Sequence, residues 1–268
     1  MGNDAVGDLA ELEIPSAYRA AELLGGDITT ATMRAADARD GQRVALRVAR
    51  VADEMVYERL RREAVMAASV EHRYIAHLLR YDDEGRPCLA FEDMVAVLAP
   101  RHGLGLREVF ALVRQLAETL DYLHSEGLMH VSLAAQDVGI AADGTPRLLN
   151  LGCAYMDANP DEFYWLQASA ETIAPELLWG YHPTPASDVY SLGLLVYTLL
   201  TGVNPFAHLP PHEEMRAKVG PPPPVLRTVA SMWPDEMRAV IERAMDESPA
   251  RRYRSAGAFA RALAQSVR

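Results

Sequence analysis

The chain has 268 residues, with 26 Lys plus Arg against 37 Asp plus Glu and a formal net charge of -11. Half of its residues are hydrophobic and 24% are charged, a composition typical of globular proteins and not of disordered or fibrous ones. The acidic balance without a basic run argues against a nucleic-acid partner, and the lack of a long apolar stretch or a leader pattern argues against membrane insertion by this segment.

The apolar pattern changes from strand-like to helix-like along the chain. Short β-type runs, residues 44–48 and 87–91 among them, surround one predicted helix over residues 53–68. Asp143-Gly144 separates two short apolar runs and predicts a β-hairpin. After residue 100, apolar residues spaced by three and four predict helices over residues 106–125, 186–200, 234–245 and 255–266.

This order of elements predicts a bilobal α+β fold. Residues 1–17 are assigned to an N-terminal extension, residues 18–94 to a small β-rich lobe with one helix, and residues 95–268 to a larger, mainly helical lobe.

The single lysine and the two cysteines exclude further classes of chemistry. Lys218 lies in a polar stretch, so neither a phosphate-loop lysine nor Schiff-base chemistry is expected. Cys88 and Cys153 provide neither a disulfide framework nor a zinc quartet. We therefore expect a protein of the reducing cytoplasm.

Short motifs that stand in a fixed order give the chain a family resemblance. They are Val44-Ala45-Leu46-Arg47, Glu63, His130-Val131-Ser132-Leu133-Ala134-Ala135-Gln136-Asp137, Asn150-Leu151-Gly152, Ala174-Pro175-Glu176, Asp188 and Arg252. In this order they resemble the landmarks of the bacterial eukaryote-like Ser/Thr protein kinases. The resemblance covers nearly everything from residue 18 to residue 268.

The resemblance implies that the residues that hold this fold together are kept. Arg47 should pair with Glu63 as a structural lock, and Glu176 should pair with Arg252. Asp188 should bind the backbone near His130. The family's gatekeeper and hinge fall on Phe91, Glu92, Asp93 and Met94.

The positions that carry chemistry in the family have changed. Ser132 replaces the aspartate that accepts the substrate proton, and Ala134 replaces a lysine of the catalytic loop. In the glycine-rich loop Gly25 remains, whereas Asp27 and Thr30 replace glycines, so that an anion would face the phosphates. Thr32 and Gly139 replace the apolar residues on the two faces of adenine, and Arg47 replaces the phosphate-binding lysine. These changes predict that nucleotide binding is lost.

Asp137 and Asn150 are a different kind of change, because the family's asparagine and aspartate have been exchanged between these positions. Both side chains hold magnesium in the family, and their oxygen atoms remain suitable ligands. The exchange therefore leaves open a site for ATP and magnesium at this pair, although our main expectation is that the chain has no cofactor and no metal.

We expect from these losses that the chain is not an enzyme. It would be a pseudokinase, a signalling scaffold or allosteric regulator that contacts a protein partner such as an active kinase. One alternative is an atypical transferase that binds metal and nucleotide through Asp137 and Asn150. Another is a small-molecule sensor with Phe91 as a wall of its cleft.

Two surface segments complete the predictions. The acidic and aromatic segment 157–165 either folds over the cleft or anchors a partner. Residues 59–62, together with Arg50, are interpreted as a solvated basic face.

Overall fold

The computed structural model describes residues 12, 14–83, 86–99, 104–159, 168–207, 209, 213, 216–218 and 233–267. The chain divides into two compact units. The first contains the described residues up to Ala99 together with Ala135–Gly152, and the second contains the remaining described residues. The predicted boundary after residue 94 stays a prediction.

The first unit contains the strands β1 Tyr18–Gly26, β2 Thr30–Asp37, β3 Arg43–Ala49, β4 Leu78–Asp82, β5 Cys88–Phe91, β6 Ala96–Val97, β8 Val138–Ile140 and β9 Pro146–Leu148. Five of them form an antiparallel sheet with the order β1-β2-β3-β5-β4. The other three form a sheet with the order β6-β8-β9. Leu149 and Phe91 share a core cluster with Leu60 of the helix described next.

Helix α1, Glu54–Ser69, begins where Asp53 accepts hydrogen bonds from the backbone N–H groups of Met55 and Val56. Such an N-cap satisfies donors that have no partner within the helix. The predicted hairpin is also present, since β8 and β9 pair antiparallel around Gly144, whose φ of 81° suits a residue without a Cβ. Both predictions are confirmed.

The second unit is mainly helical. Among the described residues its helices are α2 Leu106–Ser125, α3 Pro175–Leu178, α4 Pro185–Thr201, α5 Asp235–Ala244 and α6 Ala256–Gln265, and a small sheet pairs β7 Leu128–Met129 with β10 Tyr155–Met156. The long helices lie within one or two residues of the predicted ranges. Because α4 is buried on nearly every side, it forms the core of this unit. None of the helices in the described parts of the chain is long and apolar enough to cross a membrane.

Candidate functional site

A buried hydrogen-bond network joins α1, β3 and the two ends of the β8–β9 hairpin in the first unit. The Arg47 guanidinium donates through Nε to Glu63 Oε2 at 2.8 Å and through Nη2 to Asn150 Oδ1 at 2.7 Å. The Asn150 backbone N–H donates to Glu63 Oε1 at 2.9 Å, and Asn150 Nδ2 donates to Asp137 Oδ1 at 2.7 Å. Arg47, Glu63 and Asp137 are each about 1% exposed and Asn150 is 8% exposed, so all four residues of this network are buried. We call them the Arg47 network.

Local structure explains why these residues meet. Arg47 pairs with Thr32 of β2 and Leu89 of β5, which fixes its position in the centre of the sheet. Asn150 has a φ of 65°, a backbone conformation that asparagine tolerates better than most residues with a side chain. Its amide has one possible orientation, because the oxygen must face the guanidinium and the nitrogen must face the Asp137 carboxylate.

The charge balance keeps Arg47 protonated. Burial alone would lower the pKa of this guanidinium, but the negative charges of Glu63, Asp27 and Asp137 outweigh that effect and raise the pKa. The network therefore contains a permanent buried cation next to two carboxylates.

Asp27 organises the loop that follows β1. Its Oδ1 accepts hydrogen bonds from the Thr29 backbone N–H at 2.6 Å, the Thr29 hydroxyl at 2.5 Å and the Thr30 backbone N–H at 2.8 Å. The Thr30 hydroxyl donates to Oδ2 at 3.1 Å. Burial acts to raise the pKa of Asp27, but the charge of Arg47, the hydrogen bonds from Thr29 and the charge of Arg59 together lower it. The Asp27 carboxylate, at a position where the family that the sequence resembles has glycine, thus stabilises the conformation of the loop.

Met94 fills the space at Gly139. A Cβ atom on Gly139 would lie 2.1 Å from the Met94 sulfur, and Met94 itself is fully buried. The side chain of Met94, at the hinge position, therefore occupies the space that an apolar side chain at position 139 would fill. Thr32 is also fully buried, and its hydroxyl has no hydrogen-bond partner among the residues that the structure describes.

The other residues at the gatekeeper and hinge positions, Phe91, Glu92 and Asp93, are held by contacts within the first unit. Phe91 is 1% exposed within the core of that unit. Asp93 accepts two hydrogen bonds from Arg34, at 2.6 and 2.8 Å. Glu92 accepts from Arg147 Nε at 2.7 Å.

In the second unit, Asp188 holds the segment that begins at His130. Its Oδ2 accepts from the His130 backbone N–H at 2.9 Å and its Oδ1 from the Val131 backbone N–H at 2.7 Å. Val131 has a φ of 79°, which is strained for a β-branched residue. Ser132 and Ala134 follow, with side chains 6% and 8% exposed. The fully buried Asp188 therefore maintains a backbone shape that the sequence alone would not favour.

Glu176 and Arg252 form a two-pronged ion pair in the same unit. Arg252 Nη1 donates to Glu176 Oε1 at 2.8 Å and Nη2 donates to Oε2 at 2.7 Å. The Ser187 hydroxyl donates to the same carboxylate at 2.7 Å. This pair joins the start of α3 to the turn before α6.

Comparison with known proteins agrees with this architecture. The model of the protein kinase domain matches residues 18–263, which is most of the chain. The chain belongs to the protein kinase family. The bilobal protein-kinase-like fold that the motifs predicted is thereby confirmed.

Named relatives include bacterial and animal Ser/Thr kinases. The serine/threonine-protein kinase PknA of Mycobacterium tuberculosis is 32% identical over 263 residues, which cover 92% of this chain and 60% of PknA. The serine/threonine-protein kinase drp72 of Corynebacterium efficiens is 28% identical over 219 residues, covering 76% of this chain and 41% of the relative. The PAS domain-containing serine/threonine-protein kinase of Mus musculus is 28% identical over 176 residues, or 60% of this chain and 12% of the relative. The chain thus spans about 60% of the length of PknA.

These relatives correct one of our predictions. We expected from the changed catalytic positions that the chain is not an enzyme. PknA and the Corynebacterium relative carry the names of Ser/Thr protein kinases, and the first of them is similar over nearly the whole chain. The names of these relatives therefore contradict the expectation of a non-enzyme.

Two arginines were misinterpreted from the sequence. Arg59 and Arg62 are 8% and 9% exposed, so the solvated basic face is wrong for both. Arg59 Nη2 donates to the Thr29 hydroxyl at 2.6 Å and lies 3.6 Å from Asp27 Oδ2. The burial of Arg59 could have been predicted from the sequence, because Arg59 precedes Glu63 by four residues and therefore lies on the same face of the helix.

Two further predictions concern Lys218 and the acidic and aromatic segment 157–165. Lys218, expected in a polar setting, is 4% exposed and donates to the carbonyl oxygens of Ala170 and Ile173 at 2.6 Å each. In the acidic and aromatic segment 157–165, residues 160–165 lie outside the described residues. Both interpretations of that segment stay predictions.

Proposed function

We propose that this chain is a transferase that binds a nucleoside triphosphate with a divalent cation and transfers the terminal phosphoryl group to a hydroxyl acceptor. The observation that carries the proposal is the Arg47 network. It brings a buried guanidinium and the exchanged Asp137 and Asn150 side chains into one set of hydrogen bonds. The Ser/Thr kinase names of the relatives support the same reaction class.

Within the exchanged pair, Asp137 is the residue that would hold the cation. Asn150 uses its amide oxygen for Arg47 and its amide nitrogen for Asp137, so it acts as a positioning residue. Magnesium in nucleotide sites is bound by one or two carboxylates together with phosphate oxygens and waters. A single carboxylate therefore fits a cation that arrives with the nucleotide. The described residues contain no cluster of His, Cys, Asp and Glu that could hold a metal on its own, and this arrangement does not require one.

Phosphoryl transfer requires the protein mainly to position the reactants and to neutralise charge. The bond from the terminal phosphorus to the bridging oxygen of the nucleotide breaks, and a bond from phosphorus to the acceptor oxygen forms. The cation, when bound, supplies charge neutralisation at the phosphates. Ser132 is no base near neutral pH, so the acceptor proton passes to solvent. A general base contributes about 10²- to 10⁴-fold to such reactions, and we therefore expect a slow enzyme.

The melting temperature of the purified chain tests this proposal. It would be measured with ATP in the presence of magnesium, manganese or EDTA. Ligand at about a hundred times its dissociation constant stabilises by about 2.7 kcal/mol, or several degrees. Asp137→Asn should lose the metal-dependent part of the shift. The double variant Asp137→Asn/Asn150→Asp should regain only part of it, because a carboxylate returns to the pair but at the position that contacts Arg47. Asp143→Asn, an exposed aspartate in the same hairpin, serves as the matched control.

Two outcomes would contradict the proposal. One is a wild-type chain whose melting temperature is the same with and without ATP and metal. The other is an Asp137→Asn variant that keeps the full metal-dependent shift. Transfer itself is followed with ATP labelled at the terminal or at the α phosphate, and label incorporation only from the terminal position is expected for phosphoryl transfer.

A second candidate function is regulation of a protein partner such as an active kinase in the cytoplasm, in addition to transfer. The supporting observation is a pair of exposed aromatic side chains just after α3. Trp179 and Tyr181 are 60% and 68% exposed, and aromatic residues are enriched in protein interfaces. Addition of this chain should change the rate of a purified Ser/Thr kinase, with the kinase domain of the mycobacterial relative as the probe. The double variant Trp179→Ala/Tyr181→Ala should lose the effect, and an unchanged effect would count against this surface.

A further inference from the structure

Arginine side chains surround the loop Asp27–Thr30 in the first unit. Arg50 donates from its backbone N–H to the Thr29 carbonyl at 2.8 Å and from Nε to the Thr30 carbonyl at 3.1 Å. Arg59 donates to the Thr29 hydroxyl at 2.6 Å. The positive charge of Arg47 acts on Asp27 as well. The loop therefore lies in a strongly positive environment on an otherwise acidic protein.

Arg59 is mostly buried and packs against Gly152. A Cβ on Gly152 would lie 2.6 Å from Arg59 Cγ and 2.5 Å from the Arg59 carbonyl oxygen. Only 8% of the residue is exposed. The glycine at position 152 thus makes room for the arginine and directs its guanidinium toward the loop.

The Arg59 guanidinium has few acceptors for its donors. Its Nε is buried and has no hydrogen-bond partner within the part of the chain that the structure describes. The carboxylate nearest to it, Asp27, is 3.6 Å away, beyond ordinary hydrogen-bond length. A guanidinium carries five N–H donors, and leaving buried donors of a charged group without acceptors is unfavourable.

Asp27 does not satisfy this demand, because its oxygens are already used within the loop. They accept the backbone N–H groups of Thr29 and Thr30 and both threonine hydroxyls. Arg59 therefore faces a carboxylate that is near enough to compete for it but is held by other donors.

We propose that Arg59 binds the terminal phosphate of the nucleotide and that Asp27 competes with this phosphate for the guanidinium. The inference rests on the proposed function, since it names a further ligand-binding residue of that site. A planar guanidinium matches the geometry of phosphate oxygens and can donate two parallel hydrogen bonds. If Arg59 binds the terminal phosphate, the chain should bind nucleoside triphosphates more tightly than diphosphates. This preference should depend on Arg59 in helix α1.

The experiment compares Arg59→Gln and Arg59→Lys with a control on the same helix. Arg61→Gln is the matched control, because Arg61 is half-buried, with its side chain 30% exposed, and pairs with the exposed Glu54, Glu58 and Asp83. Dissociation constants are measured for ATP and ADP with magnesium, and for tripolyphosphate without metal. Unfolding of each variant without ligand shows that it folds.

The expected results follow from the loss of one charge-assisted contact. Arg59→Gln should weaken ATP and tripolyphosphate about tenfold and leave ADP nearly unchanged, Arg59→Lys should retain part of the preference, and Arg61→Gln should behave like the wild type. Asp27→Asn should bind tripolyphosphate more tightly than the wild type. The proposal is overturned if Arg59→Gln keeps the wild-type ratio of ATP to ADP affinity, or if no form of the chain binds tripolyphosphate.

Failure of the proposed function gives a different pattern. If metal-dependent binding does not need Asp137 while tripolyphosphate binding still depends on Arg59, the role of Asp137 is wrong and the phosphate site stands. If Asp137 is required and substitution of Arg59 has no effect, the phosphate site is wrong and the transferase proposal stands.

Discussion

Substitution of Gly139 by alanine should destabilise the first unit, because Met94 already occupies the added volume. The new Cβ would lie 2.1 Å from the Met94 sulfur and 3.3 Å from the Met94 methyl carbon. Met94 is fully buried, so its side chain has little room to move. Insertion of extra volume into a packed core costs about 1–3 kcal/mol, and this is the expected loss for Gly139→Ala.

The double-mutant cycle with Met94→Ala isolates this contact. Met94→Ala alone should cost about 2–5 kcal/mol, because it removes buried atoms and leaves a cavity. In that background the alanine at position 139 meets no sulfur and partly fills the cavity. The double variant should therefore lose about 1–3 kcal/mol less than the sum of the single variants.

Equilibrium unfolding in urea measures all four proteins of the cycle. Gly105→Ala is the control for a glycine-to-alanine change. Among the described residues a Cβ there meets only the Glu108 carboxylate at 3.7 Å, so this variant should cost less than Gly139→Ala even though Gly105 is the N-cap of α2. If the costs of Gly139→Ala and Met94→Ala add to within about 0.5 kcal/mol, Met94 does not fill the space at Gly139 and the reasoning is refuted.

Two further predictions concern charged groups. Glu176→Gln should lower the free energy of unfolding, measured in urea, by about 3–5 kcal/mol, because it leaves Arg252, 3% exposed, without its ion-pair partner. The control Glu247→Gln, at the exposed pair with Arg251, should lower it by under about 1 kcal/mol. The lowered pKa of Asp27 means that its ionised form stabilises the folded state. The stability difference between wild type and Asp27→Asn should be constant above the unfolded pKa of about 3.9 and shrink as the pH falls below it. A difference that grows toward acid would contradict the role of Asp27.

Much of the fold could be predicted because its signals are local. The helices around Leu106–Ser125 and Pro185–Thr201 repeat their apolar spacing over many residues, and such a pattern has few alternatives. The pairs of Arg47 with Glu63 and of Glu176 with Arg252 were expected from motif positions, and the structure brings both together.

What could not be predicted depends on residues far apart in the sequence. Nothing in the order of residues says that Met94 enters the space left at Gly139, because that contact needs the hinge and the β8–β9 hairpin in their folded places. The burial of Arg59 was not predicted for a similar reason. A basic residue on a helix is usually solvated, and its burial follows from the close approach of Gly152.

In the proposed function, the exchange of Asp137 and Asn150 leaves a carboxylate that would hold a cation at position 137. A carboxylate at position 150 would contact Arg47 directly, where Glu63 already neutralises the guanidinium. With asparagine at 150, an amide separates the guanidinium from the carboxylate of Asp137. Because attraction between charges falls with distance, the Asp137 charge is less neutralised by Arg47 than an aspartate at 150 would be. In the proposed site, the arginine at position 47 and the carboxylate at position 137 are therefore compatible with each other.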